Sequence, residues 1–196
     1  MTEKSPAFTN LILASASPYR AELLARLGIE FSVVPAGIDE SPRAGESGRP
    51  LAMRLAREKA AAVARRHPGL TLGADQVAVC AGRHIGKPGD RSTAIAQLQQ
   101  MAGQTVVYHS AVALVGPGVE RLDTVPTTVR FRSLDRDEIE RYLDADEPYD
   151  CAGSLRSEKL GIGLLDSLSS EDPTALVGLP LIRVAGWLRE AGFRIP

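Results

Sequence analysis

Residues 11–28 read LILASASPYRAELLARLG. The apolar run from Leu11 to Ala14 reads as a short buried strand, and leucines at helical spacing follow two serines. Ser17 takes the N-cap position and Pro18 the first helical position, where a missing N–H costs nothing. Leu23, Leu24 and Leu27 supply a core stripe, and Gly28 ends the helix. A strand running straight into a helix is a β-α step. It leaves backbone N–H groups unpaired at the junction, where anions are favoured. Arg20 adds a cation in the first turn of the same helix.

Outward from this step, Glu30 to Val34 is expected as a second strand. Residues 35–50, PAGIDESPRAGESGRP, are expected as a loop, and Pro50 to Arg66 as a long helix. Leu70 to Cys80 is a strong β run that Gly82 and the GKPGD segment break. Ser92 to Met101 has helical spacing. Thr105 to Val115 and Arg121 to Arg132 alternate as two strands around Gly116-Pro117-Gly118. Asp135 and Glu138 form a capping pattern before another helix. A polar segment with several glycines covers Ala145 to Gly163, and Leu181 to Ala191 is the last helix. This order predicts an α/β fold with a mixed sheet and flanking helices. There is no internal repeat and no long linker, so residues 1–196 are expected to form a single domain, with residues 1–9 a loose tail.

The bulk properties narrow the function. The chain has 196 residues, enough for one sizeable domain or two lobes around a cleft. Lys and Arg number 23 against 24 Asp and Glu, so no basic excess points to nucleic acid. No run approaches the roughly 20 apolar residues that span a bilayer, and the N-terminus lacks the pattern of a signal peptide. Cys80 and Cys151 form no CxxC pair, which favours a reducing cytoplasmic setting. Neither GxxxxGK[ST] nor GxGxxG nor GxSxG occurs, and His67, His84 and His109 lack metal-ligand spacing. His67 is expected at a helix end, His84 in a loop and His109 in a strand.

The informative residues are charged ones among apolar neighbours. Asp75, in LGADQVAV, alternates onto the same face as Val77 and Val79. Lys59 falls in one helical row with Leu51, Leu55 and Val63. A buried carboxylate or ammonium costs several kcal/mol, roughly, unless it is paired. Either residue could instead be structural, Asp75 as a cap and Lys59 by reaching out to solvent. Lys87 lies in a Gly/Pro-framed loop and Glu40 in the first long loop, where a solvated charge is the ordinary case. Taken together the set is chemically coherent. Arg20, Lys59 and Lys87 would neutralise phosphate oxygens, Glu40 and Asp75 would hold a divalent ion or activate a water, and Ser15 and Ser17 would add donors. Phosphoryl chemistry uses that combination.

LILASASPYRAELLARLG, the IDE of Ile38 to Glu40, LAREKA, GADQV, GKP, YDCAG and VGLPL follow one another in an order that resembles the Maf proteins, septum-formation-associated nucleotide pyrophosphatases. The resemblance covers roughly Leu11 to Arg189. It implies a Maf/inosine-triphosphatase-like fold with two lobes around a central cleft. It also implies hydrolysis of a nucleoside triphosphate to the monophosphate and pyrophosphate with a divalent cation, Mg²⁺ or Mn²⁺. Position by position it gives Ser15, Ser17, Arg20, Lys59 and Lys87 to phosphate binding, Glu40 and Asp75 to the metal, and Asp75 to proton acceptance. The partner it implies is a small-molecule nucleotide, in the cytoplasm, with no nucleic acid and no membrane; a homodimer stays open.

Three positions bear on the base. Tyr19 precedes the arginine, Gln76 follows Asp75, and Glu158 closes CAGSLRSE. This pattern is similar to the subgroup acting on 7-methyl-GTP, which removes a modified nucleotide, and departs from the subgroup acting on dTTP and UTP. Ala74 stands where that subgroup would have a serine. An aromatic face attracts the cationic methylated ring, on the order of 1 to 2 kcal/mol when desolvated. A carboxylate accepts from guanine N1–H and the 2-amino group. The rival expectations are a dTTP/UTP or modified-pyrimidine pyrophosphatase, a non-enzymatic regulator of septum formation and cell division, and a phosphate-sensing module.

Overall fold

The strand that opens the sequence, β1 (Leu11–Ala14), has four buried residues in a row. In this computed structural model the described residues are 8 and 10–195; the tail expected over residues 1–9 lies outside them, save Phe8. The remaining elements are α1 (Pro18–Ala25), β2 (Ser32–Val33), α2 (Gly48–Ala64), β3 (Leu70–Cys80), β4 (Arg83–Ile85), α3 (Arg91–Met101), β5 (Thr105–Gly116), β6 (Val119–Phe131), α4 (Arg136–Asp146), β7 (Leu165–Ser170) and α5 (Leu181–Glu190). Short helical turns lie at Ala152–Ser154 and Leu160–Leu164. The seven strands form one mixed sheet in the order β2-β1-β3-β5-β6-β7, with β4 paired to β3. The α/β expectation therefore holds. Among the described residues no helix is long and apolar enough to cross a membrane.

The chain divides into two compact units. The first is made of Met1–Asp75, Ser110–Val125 and Asp172–Pro196, the second of Gln76–His109 and Pro126–Glu171. The divisions between them fall inside β3, β5 and β6 and just after β7.

In the first unit, β1 pairs parallel with both β2 and β3. Leu11, Leu13, Leu70, Leu72, Val112 and Leu114 face Leu23 and Leu24 of α1 and Val184 and Leu188 of α5 in one buried cluster. Burying each such side chain contributes roughly 1.5–3 kcal/mol. On the other side of β1, Ile12 and Ala14 meet Val63 of α2. Gly73 makes the α2 contact possible. A Cβ there would strike the carbonyl oxygen of Ala56 and lie 2.6 Å from the amide nitrogen of Ala60. Helix and strand therefore touch backbone to backbone, which brings Lys59 beside the residue two places beyond Gly73.

In the second unit β3 turns into β4, with Val79 opposite His84, and β6 pairs antiparallel with β7. The capping box of α4 forms as the sequence reads. Asp135 Oδ1 accepts from the Glu138 amide at 2.7 Å, and Glu138 Oε2 accepts from the Asp135 amide at 3.1 Å.

Several expectations need correction. His84 lies in β4, not in a loop, because the chain reverses at Ala81-Gly82 with both residues at positive φ. β2 shrinks to two residues, which are the only ones in register with β1. β7 was not expected at all; four of its six residues are exposed, and pairing with β6 makes it a strand.

Gly73→Ala is expected to cost about 1–3 kcal/mol, since only backbone can yield to the added methyl. A drop in the chemical-denaturation midpoint checks it; an unchanged midpoint would contradict the close approach.

Candidate functional site

Ser15 ends the β1-α1 step and Ser17 caps the helix. Ser15 Oγ accepts from the Ser17 amide at 3.1 Å and from Arg20 Nη1 at 3.4 Å, and Ser17 Oγ accepts from the Arg20 amide at 3.4 Å. Each hydroxyl thus accepts from the chain and keeps its own proton to donate. Arg20 is half-buried, and its Nε donates to the carbonyl of Gly178 at 3.0 Å. Burial presses the Arg20 pKa down, while the charges of Asp75 and Glu40 oppose the shift. It remains a cation, as arginine does in proteins.

Gly178 sits at φ +123, a conformation that favours glycine. The turn that presents it is tied at both ends. Asp172 is buried, and its carboxylate accepts from the amides of Thr174 at 2.9 Å and Ile182 at 2.7 Å. Ser110, on β5, donates to the Ala175 carbonyl at 2.6 Å.

Lys59 and Asp75 are each only 6% exposed. The helical row holds as expected, so Lys59 does not reach out to solvent. Its Nζ donates to Asp75 Oδ1 and to Glu40 Oε2, both at 2.7 Å. One buried ammonium therefore joins two carboxylates from distant segments. Asp75 has its pKa raised, chiefly by burial, with the positive charges of Arg20 and Lys59 opposing the shift.

Glu40 is the exposed member, with a side chain 56% accessible, and its loop is held from α2. Arg54 clamps Glu46 with Nε and Nη2, both at 2.7 Å, and donates from Nη1 to Glu58 at 3.0 Å and from Nη2 to the carbonyl of Ser41 at 3.0 Å. The clamp holds the Glu46 carboxyl down at about 2. Planar, bidentate pairing of this kind is what a guanidinium offers and an ammonium does not.

Ser15, Ser17, Arg20, Glu40, Lys59 and Asp75 are thus brought together within the first unit, and half-buried Tyr19 stands on α1 beside Arg20. Gln76, Lys87 and Glu158 belong to the second unit: Gln76 half-buried on β3, Lys87 exposed in its loop, Glu158 exposed in a turn. Sequence reasoning missed Arg54, Glu46, Gly73, Gly178 and Asp172. The four-residue spacing of Arg54 and Glu58 signals an ion pair, but Glu46 is not in that register. The carboxylates at the site are a pair; among the described residues no group of three or more His, Cys, Asp or Glu gathers.

A buried Lys59 and a half-buried Arg20, with two carboxylates and the donors of a strand-to-helix junction, make a site suited in charge to an anionic ligand. The profile of the family described as Maf-like protein matches residues 10–191, and the chain belongs to that family. It is 55% identical over 187 residues to a 7-methyl-GTP pyrophosphatase of Xanthomonas oryzae pv. oryzae, spanning 95% of this chain and 98% of that protein. It is 52% identical over 193 residues to a 7-methyl-GTP pyrophosphatase of Albidiferax ferrireducens, spanning 97% of each. Among solved structures, a HAM1 protein from Coxiella burnetii superposes with a TM-score of 0.48 at 12% identity, over 92% of this chain and 98% of that one.

A carboxyl raised by folding stabilises the fold below its unfolded pKa, about 3.9 for Asp, and that contribution is lost as pH rises through the folded value. In chelated buffer, the stability of the wild-type protein relative to Asp75→Asn should therefore fall as pH rises from about 4 towards neutrality. Denaturation at a series of pH values reads it, and a difference that grows with pH would contradict the sign.

Proposed function

We propose that the chain hydrolyses 7-methyl-GTP to 7-methyl-GMP and pyrophosphate with the help of Mg²⁺ or Mn²⁺. The observation that carries the proposal is the buried Lys59 ammonium shared by Asp75 and Glu40, in a chain that relatives named for this activity match nearly end to end. The chain is accordingly a hydrolase of the phosphoanhydride bond of a nucleoside triphosphate.

Two carboxylates that converge on one cation fit a second. Glu40 and Asp75 offer the hard oxygen donors that would hold Mg²⁺ or Mn²⁺. Such an ion would supply charge neutralisation on the triphosphate and would make the attacking water more acidic.

The chain's own groups do the rest. With Oδ1 held by Lys59, Oδ2 of Asp75 either takes a proton from the attacking water or positions the metal that makes that water more acidic. The raised pKa of Asp75 brings it closer to the working pH, as a general base requires. The water oxygen bonds to the α-phosphorus, the α–β bridge breaks, and pyrophosphate leaves with the bridging oxygen. Arg20, Lys59 and Lys87 stabilise the charge gathering on that leaving group, and Ser15 and Ser17 donate to phosphate oxygens. Tyr19 stacks on the cationic base, Glu158 accepts from the guanine N1–H and 2-amino group and compensates the positive charge that the N7-methyl group gives the ring, and Gln76 meets the base edge.

Pyrophosphate release is measured over a panel of 7-methyl-GTP, GTP, dTTP and UTP with each metal. A preference for 7-methyl-GTP is expected, and preference for dTTP or UTP would replace the substrate assignment. Asp75→Asn is expected to abolish turnover while nucleotide still binds by calorimetry; near-normal turnover would remove Asp75 from its role. Tyr19→Ala and Glu158→Ala should each lose preference for the methylated base, about tenfold for the aromatic face.

A further inference from the structure

The second unit contains a clasp that none of these roles uses. Gly86, just before Lys87, offers its carbonyl to two donors: the amide of Gly153 at 3.1 Å and Nε2 of Gln97, on α3, at 3.1 Å. The other end of the same amide, Gln97 Oε1, accepts from Ser154 Oγ at 2.7 Å. On the far side of Lys87, the Gly89 amide donates to the carbonyl of Tyr149 at 2.9 Å. The GKP loop and the segment CAGS are therefore laced together on both flanks of the lysine.

The laced segment is held in a costly shape. Ser154 is fully buried with φ +52, and Gly153 before it has φ +66. A non-glycine residue at positive φ costs on the order of 1–3 kcal/mol and persists only where its surroundings fix it. Tyr142 fixes it from one side, donating from Oη to the Ser154 carbonyl at 3.1 Å and accepting from the Arg156 amide at 2.9 Å. Tyr108 closes the other side. A Cβ on Gly153 would lie 2.6 Å from Tyr108 Oη, a buried hydroxyl that has no hydrogen-bond partner among the described residues. Arg156 then donates from Nη1 to the Asp146 carbonyl at 2.7 Å, just ahead of Glu158.

We propose that Gln97 and Ser154 are positioning residues for base discrimination: they weld the CAGS segment to the Lys87 loop, so that the stretch leading to Glu158 is a preset platform and not a closing lid. The inference rests on the functional reading above, in which Lys87 grips pyrophosphate and Glu158 reads the base. Its content is that two recognition elements distant in sequence are held as one piece before any nucleotide arrives. A preset platform charges no ordering cost to binding, so its benefit goes to selectivity.

Two variants separate the parts. Gln97→Leu removes both amide bonds at similar volume. Ser154→Gly removes the hydroxyl and keeps the left-handed backbone. Hydrogen exchange on the nucleotide-free wild-type protein should show the Gly153 and Gly89 amides protected, and Gln97→Leu should speed both together. The ratio of kcat/KM for 7-methyl-GTP over GTP should fall about tenfold in each variant, chiefly through KM, the loss expected for a bond of this kind. The proposal is overturned if those amides exchange freely until nucleotide binds. It is also overturned if both variants lower stability while the ratio stays put. Failure of the functional reading shows separately, in the wild-type protein: if another base is preferred, the ratio is taken for that base, and if nothing is hydrolysed, the exchange measurement alone decides the clasp.

Discussion

The shared ammonium of Lys59 is the constraint on which the rest of the site depends. Removing one member of such a buried group leaves the others uncompensated, at a cost of about 3–5 kcal/mol. Around it, each neighbouring feature has a definite task. Gly73 lets α2 come close enough for Lys59 to reach Asp75. The Arg54 clamp brings the Glu40 loop onto the same helix. Arg20 stands by with its own charge, anchored through Nε to Gly178 and through Nη1 to Ser15.

The electrostatics are tuned by burial more than by proximity. Asp75 feels two nearby cations and still has its pKa raised, because desolvation outweighs them. Glu46 shows the opposite regime: half-buried and clamped by a fork of donors, it is held at about 2 and stays ionised. The two carboxylates, both paired with cations of α2, are thus shifted in opposite directions, Asp75 upward by burial and Glu46 downward by its donors.

Legibility in the sequence followed the range of the interactions. The β1-α1 step, the eleven residues of β3 and the α4 capping box rest on neighbours a few positions apart, and all were readable. Lys59 and Asp75 stood out because a charge in an apolar row is conspicuous at any range. β7 was hidden because LDSLSS has little apolar pattern of its own and becomes a strand only by pairing with β6. Gly178 was hidden too: its bond to Arg20 spans 158 residues, and nothing near either residue announces it. Nothing in the pattern around Arg54 marks it, because Glu46, its partner, lies in the preceding loop outside helical register.

The division of the chain has a consequence for the order in which it is made. The second unit is complete once residue 171 has emerged, but the first unit needs the segment beginning at Asp172. Its core sets Leu11 and Leu13 of β1 in the same cluster as Val184 and Leu188 of α5. Residues made more than 150 positions apart, such as Leu11 and Leu188, thus share one core. Lys59, Glu40 and Asp75 are all synthesised long before the turn that steadies Arg20. A chain stopped short of α5 would carry Ser15, Arg20, Glu40, Lys59 and Asp75 but lack Val184 and Leu188, which pack with β1 and α1 in one core.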